Sequence, residues 1–304
     1  MSPTRPHRQC GAQQVNERLS ELDPKLRDRQ LRIEEACRRA IEKGEAQRVW
    51  RKLITIQCVV HVVAKTDEEN ISDAQIESQI EVLNQDYRAT NADRGKVPDP
   101  WQGLVADPNI EFALAKKDPK GTANNGITRV QTTRDSFGTG DSVKTKAGGG
   151  TPPWPTDRYL NIWVCNLGDG LLGYAQFPGG PARTDGVVVL YTAFGTKGAA
   201  SAPFNLGRTM THEVGHWLNL RHIWGDTNDC SGSDQVSDTP RAQMPNYGKP
   251  DWPHISCNNG PNGDMFMDYM DYVDDAAMFM FTPGQAARMN ATLAGPRKKL
   301  AGLR

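Results

Sequence analysis

Three of the chain's six histidines, His212, His216 and His222, fall within the eleven residues HEVGHWLNLRH, and this spacing limits the local fold more than any other feature. On an α-helix His212 and His216, four residues apart, lie within ~40° of each other around the axis and can share one ion. His222, ten residues beyond His212, would stand ~80° away and too far along a straight helix to reach it. The helix therefore has to end between them, and Asn219 stands where a left-handed residue can turn the chain back. Three imidazoles leave a fourth position open for water, the arrangement of a catalytic zinc ion. Glu213 is placed beside them to take a proton from that water and not to bind the metal.

The rest of the chain supplies a frame for such a site. With 304 residues, 37% of them hydrophobic, it can bury a core as one large domain or two lobes around a cleft. Lys+Arg and Asp+Glu balance at 36 each, so no global field draws it to nucleic acid or an anionic membrane. No apolar run approaches the ~20 residues of a membrane span, and the opening MSPTRPHRQCG lacks the apolar stretch of an export signal, so either a leader was removed or export is not used. Residues 16–47 are charged and helix-favouring with a thin apolar stripe (Leu19, Leu22, Leu26, Ile33, Ala36, Ala40), which reads as one or two surface helices outside the core. LITIQCVVHVV from Leu53 to Val63 reads as a strand buried in a sheet, and the main domain begins near Arg51. The Ser72–Gln75 spacing resembles a capping box before a long helix. Further strands are expected at 110–115, 159–164 and 186–191, then a helix over 209–220, then a loop-rich stretch to about Met280. The alternation of strand and helix points to an α/β fold.

The segment HEVGHWLNLRHIWGD resembles the zinc motif HExxHxxGxxH of the metzincin metallopeptidases, with Asn219 at the family's Gly. Together with SDTP at 237–240 and MDYVDD…MFMFTPGQ over 270–285, it is most similar to the pappalysin family and its small microbial ulilysin-type members, over residues 53–289. The resemblance implies a metzincin catalytic domain over 51–304, with a twisted mixed sheet and an active-site helix in an upper subdomain (about 51–222) and a loop-rich lower subdomain (about 223–304). It assigns Met270 to the methionine turn beneath the metal, in preference to Met267, where the same MDY triplet also occurs. It also places the phenol of Tyr272 near the zinc, to stabilise the tetrahedral intermediate. Residues 170–176, GLLGYAQ with Gly173 and Tyr174, are the candidate edge strand that holds an extended peptide. A carboxylate of Asp275 or Asp274 at the pocket floor, with Asp275 preferred, would favour Arg or Lys on the primed side of the cut, as in similar enzymes. Cuts before Arg48, Arg51 or Lys52 would then be autolytic.

Arg8-Gln9-Cys10-Gly11 looks like the cysteine switch of latent metzincins, so residues 1–50 are expected to be a short helical prosegment whose Cys10 occupies the zinc. Cys230 and Cys257 flank the irregular loop after the zinc motif and are expected to pair. At the positions aligned with a second bridge of relatives, this chain has Lys249 and Ala277. Cys58 and Cys165 read as buried free thiols. Asp229, Asp234, Asp238 and Thr239 form an oxygen-rich loop, where similar proteins bind calcium. The expected whole is a secreted, monomeric zinc endopeptidase acting on proteins or peptides, with calcium as a structural ion and no nucleic-acid or membrane partner. Three rivals stand beside it. They are a non-catalytic zinc protein on the same fold, a thermolysin-like enzyme whose third ligand is a downstream glutamate in place of His222, and a non-enzymatic adhesion module.

Overall fold

The longest apolar run becomes the spine of the molecule. In the computed structural model, which describes residues 7–303, the elements follow in the order α1 (Ala12–Leu22), α2 (Leu26–Glu42), α3 (Glu45–Trp50), β1 (Ile54–Ala64), α4 (Asp73–Asp86), α5 (Asp99–Gln102), β2 (Ile110–Leu114), β3 (Ile127–Gln131), β4 (Leu160–Cys165), β5 (Gly173–Ala175), β6 (Val187–Leu190), α6 (Arg208–Trp217), β7 (Tyr247–Gly248), β8 (Tyr272–Val273) and α7 (Pro283–Ala294). Strand β1 is paired on both edges. The parallel strands β2 and β3 share one edge in succession, from Ile54↔Ile110 and from Val60↔Ile127, and β4 runs parallel along the other. Strand β6 joins β4 in parallel, and the short β5 closes the edge antiparallel to β6. A sheet covered on both faces requires apolar residues at consecutive positions, which is why β1 does not alternate.

One face of β1, from Ile54 through Ile56, Cys58, Val60 and Val62, packs with α4 and α6 in the main core. The other face, with Val63, Trp163, Cys165, Tyr174 and Val188, receives Val15 and Leu19 of α1 and Leu26 of α2. This corrects the expectation that residues 16–47 form surface helices outside the core. The stripe is thin because each helix docks along one ridge, but its buried members complete apolar clusters. Cys37, Ala40 and Ala46 pack on Ala291 of α7 in the same way.

Ser72 caps α4 by accepting from Gln75 N at 3.2 Å. The reciprocal half of the expected capping box is missing, because the Gln75 amide turns inward to donate to Tyr191 O and Phe194 O at 3.0 and 2.8 Å. A full capping box is found instead at the start of α7, between Thr282 and Gln285. A disulfide joins Cys230 to Cys257 across Cα atoms 5.4 Å apart, and Cys58 and Cys165 are buried free thiols. Among the described residues no helix is long and apolar enough to cross a membrane.

Candidate active site

Helix α6 is buried at every one of its ten residues, so its polar side chains are oriented by protein and not by solvent. It begins after Gly207, whose φ of 76° favours glycine. It ends in a Schellman-type turn: Leu220 N bonds Gly215 O and Asn219 N bonds His216 O, both at 2.9 Å, with Asn219 at φ 76°. Asn can occupy this left-handed position at small cost, and the reversal brings His222 back to the helix. Nε2 of His216 then lies 3.1 Å from Nε2 of His212 and 3.0 Å from Nε2 of His222.

The other nitrogen of each ring is committed. Nδ1 of His212 faces Tyr269 O at 2.7 Å and Nδ1 of His216 faces Leu220 O at 2.9 Å. A carbonyl oxygen only accepts, so both Nδ1 atoms carry the proton and both Nε2 atoms present lone pairs. His222 Nδ1 is held by the Asp226 carboxylate, and its ring stacks on Trp224 at 4.3 Å between centroids. Burial and the neighbouring rings hold His212 well below the usual imidazole range and push His216 down to about 3. Three buried lone pairs converging at 3 Å repel one another unless a cation lies among them, so the set fits a divalent metal ion with nitrogen ligands. The fourth candidate ligand is Cys10, whose Sγ lies with the three ring nitrogens in a group spanning no more than 4.8 Å. Burial and the Glu213 carboxylate push its thiol well up, and a metal ion would offset both.

Glu213 points from α6 toward β5, and its carboxylate accepts from Cys10 Sγ at 3.4 Å. Burial pushes it up to about 8, against the opposing pull of Cys10 and Arg8. Its position depends on Gly173, where a Cβ would come within 2.9 Å of Glu213 Cγ. Met270 lies under α6: a Cβ on Gly215 would meet its sulfur at 2.5 Å. The ring of Tyr272 stands 4.9 Å from that of His222, and its hydroxyl donates to Cys10 O at 3.4 Å.

Residues 9–11 lie along the edge strand. Leu172 N donates to Gln9 O at 3.0 Å and Gly11 N to Gly173 O at 2.9 Å, an isolated bridge of parallel sense. Arg8, 2% exposed, enters the wall opposite, donating to Asp275 Oδ1 at 2.6 Å, to Thr209 Oγ1 at 2.9 Å and to Val273 O at 3.2 Å, with Phe204 5.1 Å beneath the guanidinium. Asp275 also accepts from Leu206 N at 2.8 Å and Arg208 N at 3.3 Å. Asp274 is buried one residue earlier, with its backbone bonded to Gly248 and Ala277. The structure thus brings Arg8, Thr209 and Phe204 together beside Asp275. Sequence reasoning gave the last two no role, because they are joined to Asp275 only through the fold.

The oxygen-rich loop is engaged by protein donors. Asp229 is exposed and accepts from Ser231. Asp234 accepts from Thr239 at 2.7 Å, and Asp238 accepts from Thr282 and Gly284 N at the start of α7.

Known proteins resemble this arrangement at several levels. Residues 150–294 match the Peptidase M43 family described as Pregnancy-associated plasma protein-A. An extracellular metalloprotease of Pyricularia oryzae is 32% identical over 94% of this chain and 88% of its own length. The solved structure of mature mirolysin from Tannerella forsythia with a cleaved peptide is 51% identical, with a TM-score of 0.80 over 82% of this chain and 95% of its own. That of a promirolysin mutant from the same organism is 46% identical, with a TM-score of 0.89 over 97% of each chain. The chain belongs to the M43 family, the pappalysin-type metzincins, and is a metalloendopeptidase.

Proposed function

We propose that this is a zinc endopeptidase that cuts before Arg or Lys and is made latent by its own first ~50 residues, whose Cys10 takes the open metal position. The observation that carries the reading is the seat of Arg8: a buried guanidinium paired with Asp275, two residues from a thiol among three imidazoles. The N-terminal segment fills the cleft as a ligand would, with a basic side chain in the pocket. Mature mirolysin matches 82% of this chain and the precursor form 97%. The part that only the precursor matches is about the length of chain before β1, which supports removal of that part. Secretion is supported by the relatives named extracellular metalloproteases and by the disulfide.

On this reading His212, His216 and His222 hold the zinc, which when bound supplies Lewis acidity to the attacking water and the scissile carbonyl. The edge strand β5 binds the substrate backbone through the groups that now hold residues 9–11. Glu213, desolvated and pushed up to about 8, takes the proton of the attacking water and returns it to the leaving amine. Tyr272 donates to the carbonyl oxygen as it gains charge, and its present bond to the Cys10 carbonyl gives that role a precedent. Asp275 neutralises the basic side chain of the residue after the cut. Met270 and Asn219 support the metal site from below and at its turn, and Asp226 orients His222. Arg51 and Lys52 are exposed in the turn between α3 and β1, whereas Arg48 is exposed within α3. The first two are therefore the better autolytic sites, since cleavage needs an extended chain. Calcium is proposed as a structural ion of the Asp229–Thr239 loop, with a calcium-dependent rise in Tm as its test.

The test is to remove the segment before β1, incubate the activated protein with zinc and an unfolded protein and map the cut sites by mass spectrometry, with chelator and Glu213→Ala controls. Cuts before Arg and Lys, absent from both controls, are expected. Cuts that ignore the following residue would refute the pocket, and cuts that persist in Glu213→Ala would refute the base.

A further inference from the structure

Beyond Arg8, the N-terminal segment makes charged contacts with the body that the proposed reaction does not use: Glu34 pairs with Arg288 and Arg221 away from β5, and Arg18 pairs beside it. Arg18, midway along α1, pairs through Nη2 with Asp141 Oδ2, and the Asp141 side chain is 7% exposed. The second carboxylate oxygen faces the buried ammonium of Lys144 at 2.7 Å. Lys144 also donates to Thr184 O at 2.7 Å and lies 4.9 Å from the centre of the Tyr174 ring. One oxygen of Asp141 is thus committed to the protein's own lysine, and the other is held by the segment that leaves on activation. The same helix covers Phe137, Leu171 and Tyr174 with Val15 and Leu19. Its departure uncovers an apolar wall beside a carboxylate that has lost a cation.

This spot lies beside Tyr174 of β5, and the Asp275 pocket lies toward Leu172, just before the strand, where Gln9 is bonded. With the residue after the cut in the Asp275 pocket, the residues before the cut run past Tyr174. Arg18 stands eight residues beyond Cys10, almost all of them helical, which at ~1.5 Å per residue is a distance of about 12 Å. An extended peptide covers that in about four residues at ~3.3 Å each, and alternate side chains face the Tyr174 side of the sheet.

We propose that Asp141 is a specificity-determining residue that selects Arg or Lys three or four residues before the scissile bond. The inference rests on the Asp275 pocket marking the opposite, primed side. Lys144 already balances one unit of charge, so the selectivity is that of a half-exposed ion pair, about fivefold in kcat/KM, and it shrinks at high salt.

The experiment uses the activated enzyme, supplied with zinc, and peptides that share Arg after the cut and differ only in carrying Arg, Gln or Glu at the third and fourth positions before it. The expected order is Arg above Gln above Glu. Asp141→Asn, which keeps a carbonyl oxygen toward Lys144, is expected to bring the three rates together while the preference for Arg after the cut is unchanged. A wild-type enzyme that cleaves all three at one rate yet still requires Arg after the cut overturns the role of Asp141 and leaves the Asp275 reading standing. An enzyme indifferent to the residue after the cut removes the pocket assignment on which the inference rests, and the inference falls with it.

Discussion

Replacing Arg8 with Ala in the precursor separates the pocket's share of latency from that of Cys10. The guanidinium makes three hydrogen bonds, one of them to a fully buried carboxylate. Breaking a buried ion pair by removing one partner costs about 3–5 kcal/mol when the other charge is stranded. Asp275 is not fully stranded, because Leu206 N and Arg208 N still donate to it, and water enters the pocket once Arg8 is gone. A loss below that range, about 2–3 kcal/mol, raises the population of displaced prosegment roughly 30- to 150-fold. The assay is the initial rate of cleavage of a short quenched peptide by intact precursor with zinc supplied, with a gel to exclude trimming during the measurement. Arg8→Lys, which keeps the charge and loses the fork, should fall between wild type and Ala. An Arg8→Ala precursor as silent as wild type, beside a Cys10→Ala precursor that is active, would refute the reasoning and leave latency to the thiol alone.

Other consequences are open to direct measurement. His61, buried between Thr128 and Asn161, is pushed down to about 4 by desolvation. The unfolded chain takes up a proton near pH 6.5 that the folded chain refuses until about pH 4, so stability falls by about 3 kcal/mol as pH drops through that window; a His61→Gln variant whose denaturation midpoint keeps the wild-type slope from pH 6.5 to 4 would contradict this. Gly215→Ala puts a methyl 2.5 Å from the Met270 sulfur and should cost about 1–3 kcal/mol and weaken zinc retention, so an unchanged Tm would show that Met270 is free to move. Opening the Cys230–Cys257 bridge, 27 residues apart, should cost up to about 3.5 kcal/mol by chain entropy, read as the denaturant midpoint of the Cys230→Ser, Cys257→Ser double variant.

The sequence carried the parts of this structure that are set by local periodicity or by spacing. The continuous apolar run of β1 implied a doubly covered strand, and the ten-residue step from His212 to His222 implied a helix that ends and turns back. Strand β3 was not legible: ITRVQ is nowhere fully buried and follows the turn-like run Asn-Asn-Gly, so it lacks the signature of a core strand. Strand β5 has three residues, too few for any period to register, and only the family resemblance of residues 170–176 pointed to it as the edge. The core role of α1 and α2 was hidden because the residues that cover their stripe, such as Phe137 and Leu171, are more than a hundred positions away. The choice between Asp274 and Asp275 likewise depends on which carboxylate faces Arg8, 267 residues earlier in the chain.

The parallel course of residues 9–11 beside β5 has a consequence for how this protein can change. From pocket to metal, the N-terminal segment runs from Arg8 toward Cys10, in the N-to-C sense, whereas a substrate with its basic residue after the cut runs from pocket to metal in the C-to-N sense. The segment can therefore satisfy the pocket without presenting a bond in the orientation to be broken. On the proposed reading, one carboxylate answers to two partners of opposite polarity, the incoming substrate and the chain's own beginning. If that reading holds, a substitution at Asp275 that taught the enzyme a new substrate would at once loosen its lock, and a stable change of taste would require residues 8 and 275 to change as a pair.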